Sequence, residues 1–344
     1  MLLDPFSIAP LGSLKNRVAM SSMTRGFAGP NHLATPEMAA YYGRRAEDDV
    51  ALILTEGTIV HLTGDGYNNV PHIETAVQAK SWAPVVQRVR SAGTLLFCQL
   101  WHCGRISHSD YTGGVPPVSS TDRPAEGINR QNGKPFGTPR SLDPNEMTTI
   151  HRQFVDAAQN ALSVGFDGVE LHFGHGYLID EFLDGSVNDR TDRYGGSVAN
   201  RCRFALELLE TVIGSVGADK VMVRLSPSRE MEGIHDWPDM GAMLDYLVPA
   251  MSGLGLAMLD ISCARSDYAL TSGRVIRMVR PHWKGFLMGG ASLSQEQAES
   301  EIRDGHLDMV TWGRFLLANP DFVGRLRAGA PLEDFSRDML ETLR

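Results

Sequence analysis

His172 and His175 stand three residues apart, and Tyr177 follows two residues later. Two imidazoles that each turn an N–H toward one oxygen of a bound molecule draw electron density out of it. A phenol held beside them can then protonate the neighbouring carbon. Two other uses of the same residues stay open: a pair of zinc ligands, or two structural histidines beside a half-buried tyrosine. Gln99 and Arg224 form a second group. An amide next to a guanidinium suits a ring that mixes donors with acceptors and gains negative charge on reduction; the plainer alternative is a buried Arg224 paired with a carboxylate. A third group, Gly289-Gly290 with Gly313-Arg314, has the composition of a phosphate cradle. Glycine lets backbone N–H groups come close, and arginine adds a charge-assisted fork. Gly289-Gly290 alone would also serve as a tight turn.

The elements that must carry these residues recur in a regular rhythm. Short apolar runs at 18–21, 51–55, 95–100, 168–172, 221–225, 257–261, 285–288 and 309–312 read as strands, apolar on both faces as parallel strands covered by helices are. Helical patterns alternate with them. Thr35-Pro36 opens one with a cap and a first-turn proline. Asp143, with Glu146 three residues on, opens another as a capping box. Further helical spacing covers 201–216, 240–251, 294–302 and 319–327. Strand then helix, eight times, predicts a closed (β/α)8 TIM barrel, α/β in class, as one domain over 1–344. An open doubly wound sheet is the runner-up, weakened by the lack of a G-x-G-x-x-G opening. Residues 1–16 are expected to form an N-terminal hairpin closing the barrel bottom. Residues 104–142, rich in Gly, Pro and Ser, form a long loop after strand 3 and read as a lid or binding loop. In such a barrel ligands bind at the C-terminal ends of the strands, where all three groups of residues fall.

Composition narrows the class. A formal net charge of −9 over 344 residues, with no Lys/Arg run, argues against nucleic acid as partner. Cys98, Cys103, Cys202 and Cys263 have no metal-site spacing and read as reduced thiols in a cytoplasmic protein, and no metal is expected. Neither a signal peptide nor a membrane span is visible. A Schiff-base aldolase would need a lysine inside a strand, and the eight runs contain none. A flavin-free barrel binding a phosphorylated metabolite remains a rival of another class.

Several stretches, taken together, resemble the Old Yellow Enzyme family of FMN-dependent ene-reductases. They include Met23-Thr24-Arg25, Thr55-Glu56-Gly57-Thr58, Gln99-Leu100-Trp101-His102-Cys103-Gly104-Arg105, His175-Gly176-Tyr177-Leu178, the long run from Asn188 to Ser197, and Gly313-Arg314-Phe315. The resemblance implies bound FMN and a transient NADPH or NADH. Ser22, Met23 and Thr24 would lie at the flavin edge, with the Thr24 hydroxyl tuning its potential. Gly57 and Gln99 would bond the pyrimidine side of the ring, and Arg224 would stabilise its reduced form. Gly289, Gly290, Ala291, Gly313 and Arg314 would hold the phosphate. His172 and His175 would hold a carbonyl or nitro oxygen, Tyr177 would protonate the α carbon, and Tyr67 would stand beside the substrate. The implied reaction is ping-pong reduction of an activated alkene such as an enone, nitroalkene or maleimide. Reduction of nitrate esters or nitroaromatics would use the same residues. The sequence departs from the family in having Ser21-Ser22 where Ala-Pro is frequent, and Met23 where a subgroup has a redox-tuning cysteine. It carries no cysteine cluster or second nucleotide-binding domain. A homo-oligomer stays open.

Overall fold

The computed structural model describes residues 1–230, 233–263, 267–290 and 292–344. Eight strands run parallel around a closed ring: β1 (Val18–Met20), β2 (Leu52–Leu54), β3 (Leu95–Trp101), β4 (Gly168–Phe173), β5 (Val221–Leu225), β6 (Met258–Ser262), β7 (Phe286–Gly290) and β8 (Met309–Trp312). β8 pairs with β1, and β3 with β4, so the barrel closes. The short strand Thr58–Ile59 extends the sheet beside the top of β3. The open-sheet alternative is thereby excluded.

Helices pack around the ring: α1 (Pro36–Glu47), α2 (Ala83–Ser91), α3 (Met147–Ser163), α4 (Val198–Val216), α5 (Met240–Gly253), α6 (Ser272–Val279), α7 (Gln295–Arg303) and α8 (Phe322–Ala328). Thr35 caps α1 by accepting the Met38 N–H, and Asp143 and Glu146 form the expected capping box ahead of α3. The helix expected over 319–327 starts later, at Phe322. Asn319 is extended, as residues before proline tend to be, and its buried amide bonds to Phe315 and Glu333. A separate short helix, Arg314–Ala318, precedes it.

The alternation of the strands creates two apolar regions. Outward residues such as Val169, Leu171, Val223 and Leu259 pack under the helices in the main core. Inward residues of the lower barrel, among them Leu52, Leu54, Phe97, Met222, Met258, Phe286 and Met309, form a second cluster. The N-terminal hairpin, Phe6–Ile8 paired with Gly12–Leu14, closes the bottom as expected, laying Phe6, Ile8 and Leu11 against that cluster. The 104–142 connection carries two short ladders, Val118–Ser119 with Arg140–Ser141 and Ile128–Asn129 with Lys134–Pro135. Among the described residues, no helix is long and apolar enough to cross a membrane.

Candidate active site

At the top of the barrel the inward side chains turn polar. Gln99, Glu170, Arg224, Asp260, Ser262 and Thr311 are all buried there. The ladder sets Glu170 beside Gln99, His172 beside Arg224, and Arg224 beside Asp260. Gln99 and Arg224 thus share the barrel interior, as their strand positions predict. Gln99 Nε2 donates to Glu170 Oε2 at 2.6 Å, and Ser22 Oγ donates to Gln99 Oε1 at 2.7 Å. Arg224 is buried but poorly bonded. Its Nη1 reaches Ser22 O at 3.4 Å and its Nη2 reaches Ser262 O at 3.5 Å, while Nε has no acceptor among the described residues and stands 3.7 Å from Asp260 Oδ2. The carboxylate neighbour weighed as an alternative is therefore present, at a distance that leaves most of the guanidinium's capacity unused. A buried, under-bonded guanidinium costs free energy unless an acceptor arrives. An electron-rich ring supplies one, which is the fit expected for a flavin.

Above Arg224 the chain turns back on itself. His175 and Gly176 take left-handed conformations, with φ of 60° and 79°. Asp180, in the short helix Leu178–Leu183, fixes this turn by accepting the Gly176 N–H at 2.6 Å. Asp180 is held in place by Trp237 Nε1 and Arg229, both at 2.8 Å. The turn brings the His172 and His175 rings to 5.2 Å and the His172 and Tyr177 rings to 5.3 Å. Burial, with Arg224 nearby, drops both imidazoles well below their ordinary pKa, so both are neutral. His172 Nδ1 is buried and has no hydrogen-bond partner among the described residues. Ser226 Oγ lies 3.0 Å from His175 Nδ1 and donates to Ser262 O at 2.8 Å. Tyr177 and Tyr67 meet at 2.7 Å between hydroxyls, and both pack against Trp101 at 4.8 Å. Burial pushes the Tyr177 phenol well up, keeping its proton in place at rest.

Tyr67 owes its position to Asp65, whose Oδ1 accepts the Gly66 and Tyr67 N–H groups at 2.6 and 3.1 Å. The other Asp65 oxygen takes His72 Nε2 at 3.0 Å, and His32 stacks on His72 at 3.7 Å with the rings only 16° from parallel. His32, Asp65 and His72 bring ligand atoms close together. An ion must lie in the plane of each imidazole it binds, and two stacked planes do not meet at one ion. The cluster therefore acts as a hydrogen-bonded brace for the Tyr67 loop.

The remaining expected residues ring the same opening. Ser22 and Met23 are half-buried and Thr24 is exposed, on a segment that Glu56 fixes by accepting the Arg25 and Gly26 N–H groups at 3.0 and 2.9 Å. Gly57 has a steric reason: a Cβ there would lie 2.4 Å from the Trp101 ring. Gly289 and Gly290 were expected beyond the end of a strand but are the last two residues of β7, laddered to both neighbours. A Cβ on Gly290 would stand 2.1 Å from Thr311 O, so close strand approach explains the glycine. Ala291 lies outside the described residues. Gly313 precedes the helix Arg314–Ala318 and packs against Met23, where a Cβ would meet Sδ at 2.9 Å. Arg314 is exposed, 5.2 Å over the Phe335 ring.

Sequence reasoning missed Glu56, Glu170, Ser226 and Asp260. The available signal for Glu170 and Asp260 was a carboxyl inside an otherwise apolar parallel strand, two residues below a polar strand end. The long run from Asn188 to Ser197 serves structure. Asn188 bonds Phe182 O and Tyr194 O at 2.7 and 2.8 Å, and Arg190 bonds Leu142 O at 2.8 Å, tying the long loop to the barrel.

A closed parallel barrel whose top holds an under-bonded buried arginine beside a His–His–Tyr cluster defines a flavin-type oxidoreductase barrel. Comparison with known proteins agrees. The profile of the NADH:flavin oxidoreductase / NADH oxidase family matches residues 1–333. The putative 12-oxophytodienoate reductase 11 of Oryza sativa subsp. japonica is 35% identical over 98% of this chain and 93% of its own. The putative 12-oxophytodienoate reductase-like protein 1 of Arabidopsis thaliana is 38% identical over 93% of this chain and 98% of its own. The solved structure of the old yellow enzyme homologue from Zymomonas mobilis superposes with a TM-score of 0.91 at 33% identity, covering 98% of this chain and 96% of that one. The chain belongs to the NADH:flavin oxidoreductase / NADH oxidase family, that of Old Yellow Enzyme. It is an FMN-dependent oxidoreductase with NAD(P)H as reductant.

Proposed function

We propose that this single-domain protein reduces activated C=C bonds conjugated to a carbonyl or nitro group, by alternating use of one site. The observation that carries the reading is the meeting of His172, His175 and Tyr177 over a buried Arg224 with spare donors. FMN, when bound, carries a hydride from NAD(P)H to the β carbon of the acceptor. Arg224 and Gln99 would hold the ring's pyrimidine edge, with Ser22, Met23, Thr24 and Gly57 against it. The strand ends at Gly289, Gly290 and Ala291 and the Gly313-Arg314 helix start would hold the phosphate. His172 and His175 grip the acceptor's oxygen as neutral donors. Ser226, whose hydroxyl donates to Ser262 O, stands 3.0 Å from His175 Nδ1 and holds that ring in place. Tyr177 gives its proton to the α carbon, and Tyr67, bonded to its hydroxyl, keeps it aimed. The names of the rice and Arabidopsis relatives, as reductases of 12-oxophytodienoate, support an enone-type acceptor. Four buried thiols without disulfides support a reducing compartment, the cytoplasm.

The test is the visible spectrum of the purified protein before and after anaerobic NADPH, with cyclohexenone added last. A yellow protein that bleaches and then recolours meets the proposal. A flavin that stays bleached with the enone and recolours with a nitroaromatic moves the acceptor class.

A further inference from the structure

Glu170 and Asp260 are fully buried inward residues on β4 and β6, next to Arg224 on β5. Each carboxyl has one satisfied oxygen. Glu170 Oε2 accepts from Gln99, and Asp260 Oδ1 accepts from the Ser262 hydroxyl. The other two oxygens, Glu170 Oε1 and Asp260 Oδ2, are buried and take no donor among the described residues. Yet the two side chains are within hydrogen-bond reach of each other. Two bare carboxylates meeting in a dry interior repel strongly, and one nearby cation offsets only one of them. A single proton between Oε1 and Oδ2 satisfies both acceptors at once and leaves one net negative charge to balance Arg224.

We propose that Glu170 and Asp260 share one proton at rest and take up a second when FMN beside Arg224 is reduced, making the pair a redox-linked proton store. The uptake half rests on the flavin-site reading above; the shared proton does not. The accounting closes. NAD(P)H gives two electrons and one proton as hydride, and the negative charge this adds near Arg224 is cancelled by one solvent proton bound to the pair. When the hydride passes to the alkene, the pair releases that proton, matching the one Tyr177 needs to recover its phenol. Net consumption is one NAD(P)H and one proton per C=C bond reduced. Burial pushes Glu170 up to about 8 and also raises Asp260, in keeping with a protonated pair at neutral pH. The groups facing the pair are Gln99 from β3, His172 from β4, Arg224 from β5, and Ser262 and Thr311 from β6 and β8. The inward residues Ala19, Leu54 and Met288 of β1, β2 and β7 belong to the apolar cluster and bring no charge; just past the end of β2 stands the buried Glu56, whose carboxyl bonds the Arg25 and Gly26 N–H groups. His172 and nearby His175 stay neutral, so they add no competing charge.

Infrared spectroscopy of the flavin-free wild-type protein at pH 7 is the first readout. Glu56 and Glu181 also hold protons near this pH, so the readout is the wild-type minus Glu170→Gln difference. A D2O-sensitive protonated carboxyl component that is present in the wild type and missing in Glu170→Gln is expected, and no such component in the difference overturns the shared proton. The second readout is the flavin midpoint potential against pH, for wild type, Glu170→Gln and Asp260→Asn. The wild-type slope should be twice that of either variant, reflecting two protons per two electrons in place of one. Equal slopes overturn the redox-linked uptake. Should the protein bind no FMN, the infrared band still decides the pair, so that failure is separable from failure of the proposed function. If one variant does not fold, the other takes its place in the infrared difference and in the slope.

Discussion

The same strands build two opposite interiors one pleat apart. Phe97, Met222, Met258 and Met309 face the lower barrel; Gln99, Arg224, Asp260 and Thr311, each two residues later on those strands, face the upper barrel. Below, the inward side chains and the N-terminal hairpin fill the space and stay apolar. Above, buried polar atoms of Arg224, Glu170, His172 and Asp260 find no hydrogen-bond partner among the described residues. A filled apolar layer stabilises without ligand, whereas an under-bonded polar layer is tolerated where a ligand completes it. The contrast separates the part that holds the barrel together from the part that binds.

Substitutions in the two layers should separate just as cleanly. The largest effect belongs to Tyr177→Phe: stopped-flow reoxidation by an enone should slow about 10²–10⁴-fold while reduction by NADPH keeps its rate. Unchanged reoxidation would remove Tyr177 from the proton step. Next come one substitution in each layer, each costing about 3–5 kcal/mol in denaturant unfolding. Phe286→Ala, in the lower layer, opens a cavity and should leave the flavin spectrum of the folded protein intact. Arg224→Met leaves the Glu170–Asp260 pair without its cation and should also abolish or greatly weaken FMN binding. If both lost flavin equally, the division between layers would fail.

The pH dependence of stability should be smaller. Burial holds Glu56 at about 7, and Glu170 and Glu181 at about 8, all above the usual 4.5. A carboxyl raised in the folded state binds its proton more tightly there than when unfolded. Its contribution is full below about 4.5 and is lost as pH climbs through 7 and 8. The buried histidines act in the other direction, but only below about 6.5, where unfolded imidazoles take up protons. The melting temperature should therefore fall between about pH 6.5 and 8.5, less so in Glu170→Gln; a rise across that window would contradict the raised carboxyls. The smallest effect expected is for Phe6→Ala in the hairpin. Phe6 is half-buried with the Arg17 guanidinium 3.9 Å over its ring, and its loss should cost about 1–2 kcal/mol with no change in the flavin spectrum.

The sequence by itself determined the barrel, its hairpin plug, and the strand ends at which His172, His175, Tyr177, Gln99 and Arg224 stand. Apolar runs, caps and punctuation are local properties, and the pleat dictates that Gln99 and Arg224 share a face with the strand residues two below them. Tertiary structure alone decided what those positions touch. That Gly289 and Gly290 lie inside β7 follows from the closeness of Thr311 and Ile261 on the neighbouring strands. That Asp180 pins the left-handed turn at His175, and that Ser226 reaches His175, depends on loops meeting across the barrel mouth. The pairing of Glu170 with Asp260, 90 residues apart in the chain, exists only because closure brings β4 and β6 to either side of β5. Burial and electrostatic coupling depend on every neighbour at once, so no local pattern in the chain encodes them.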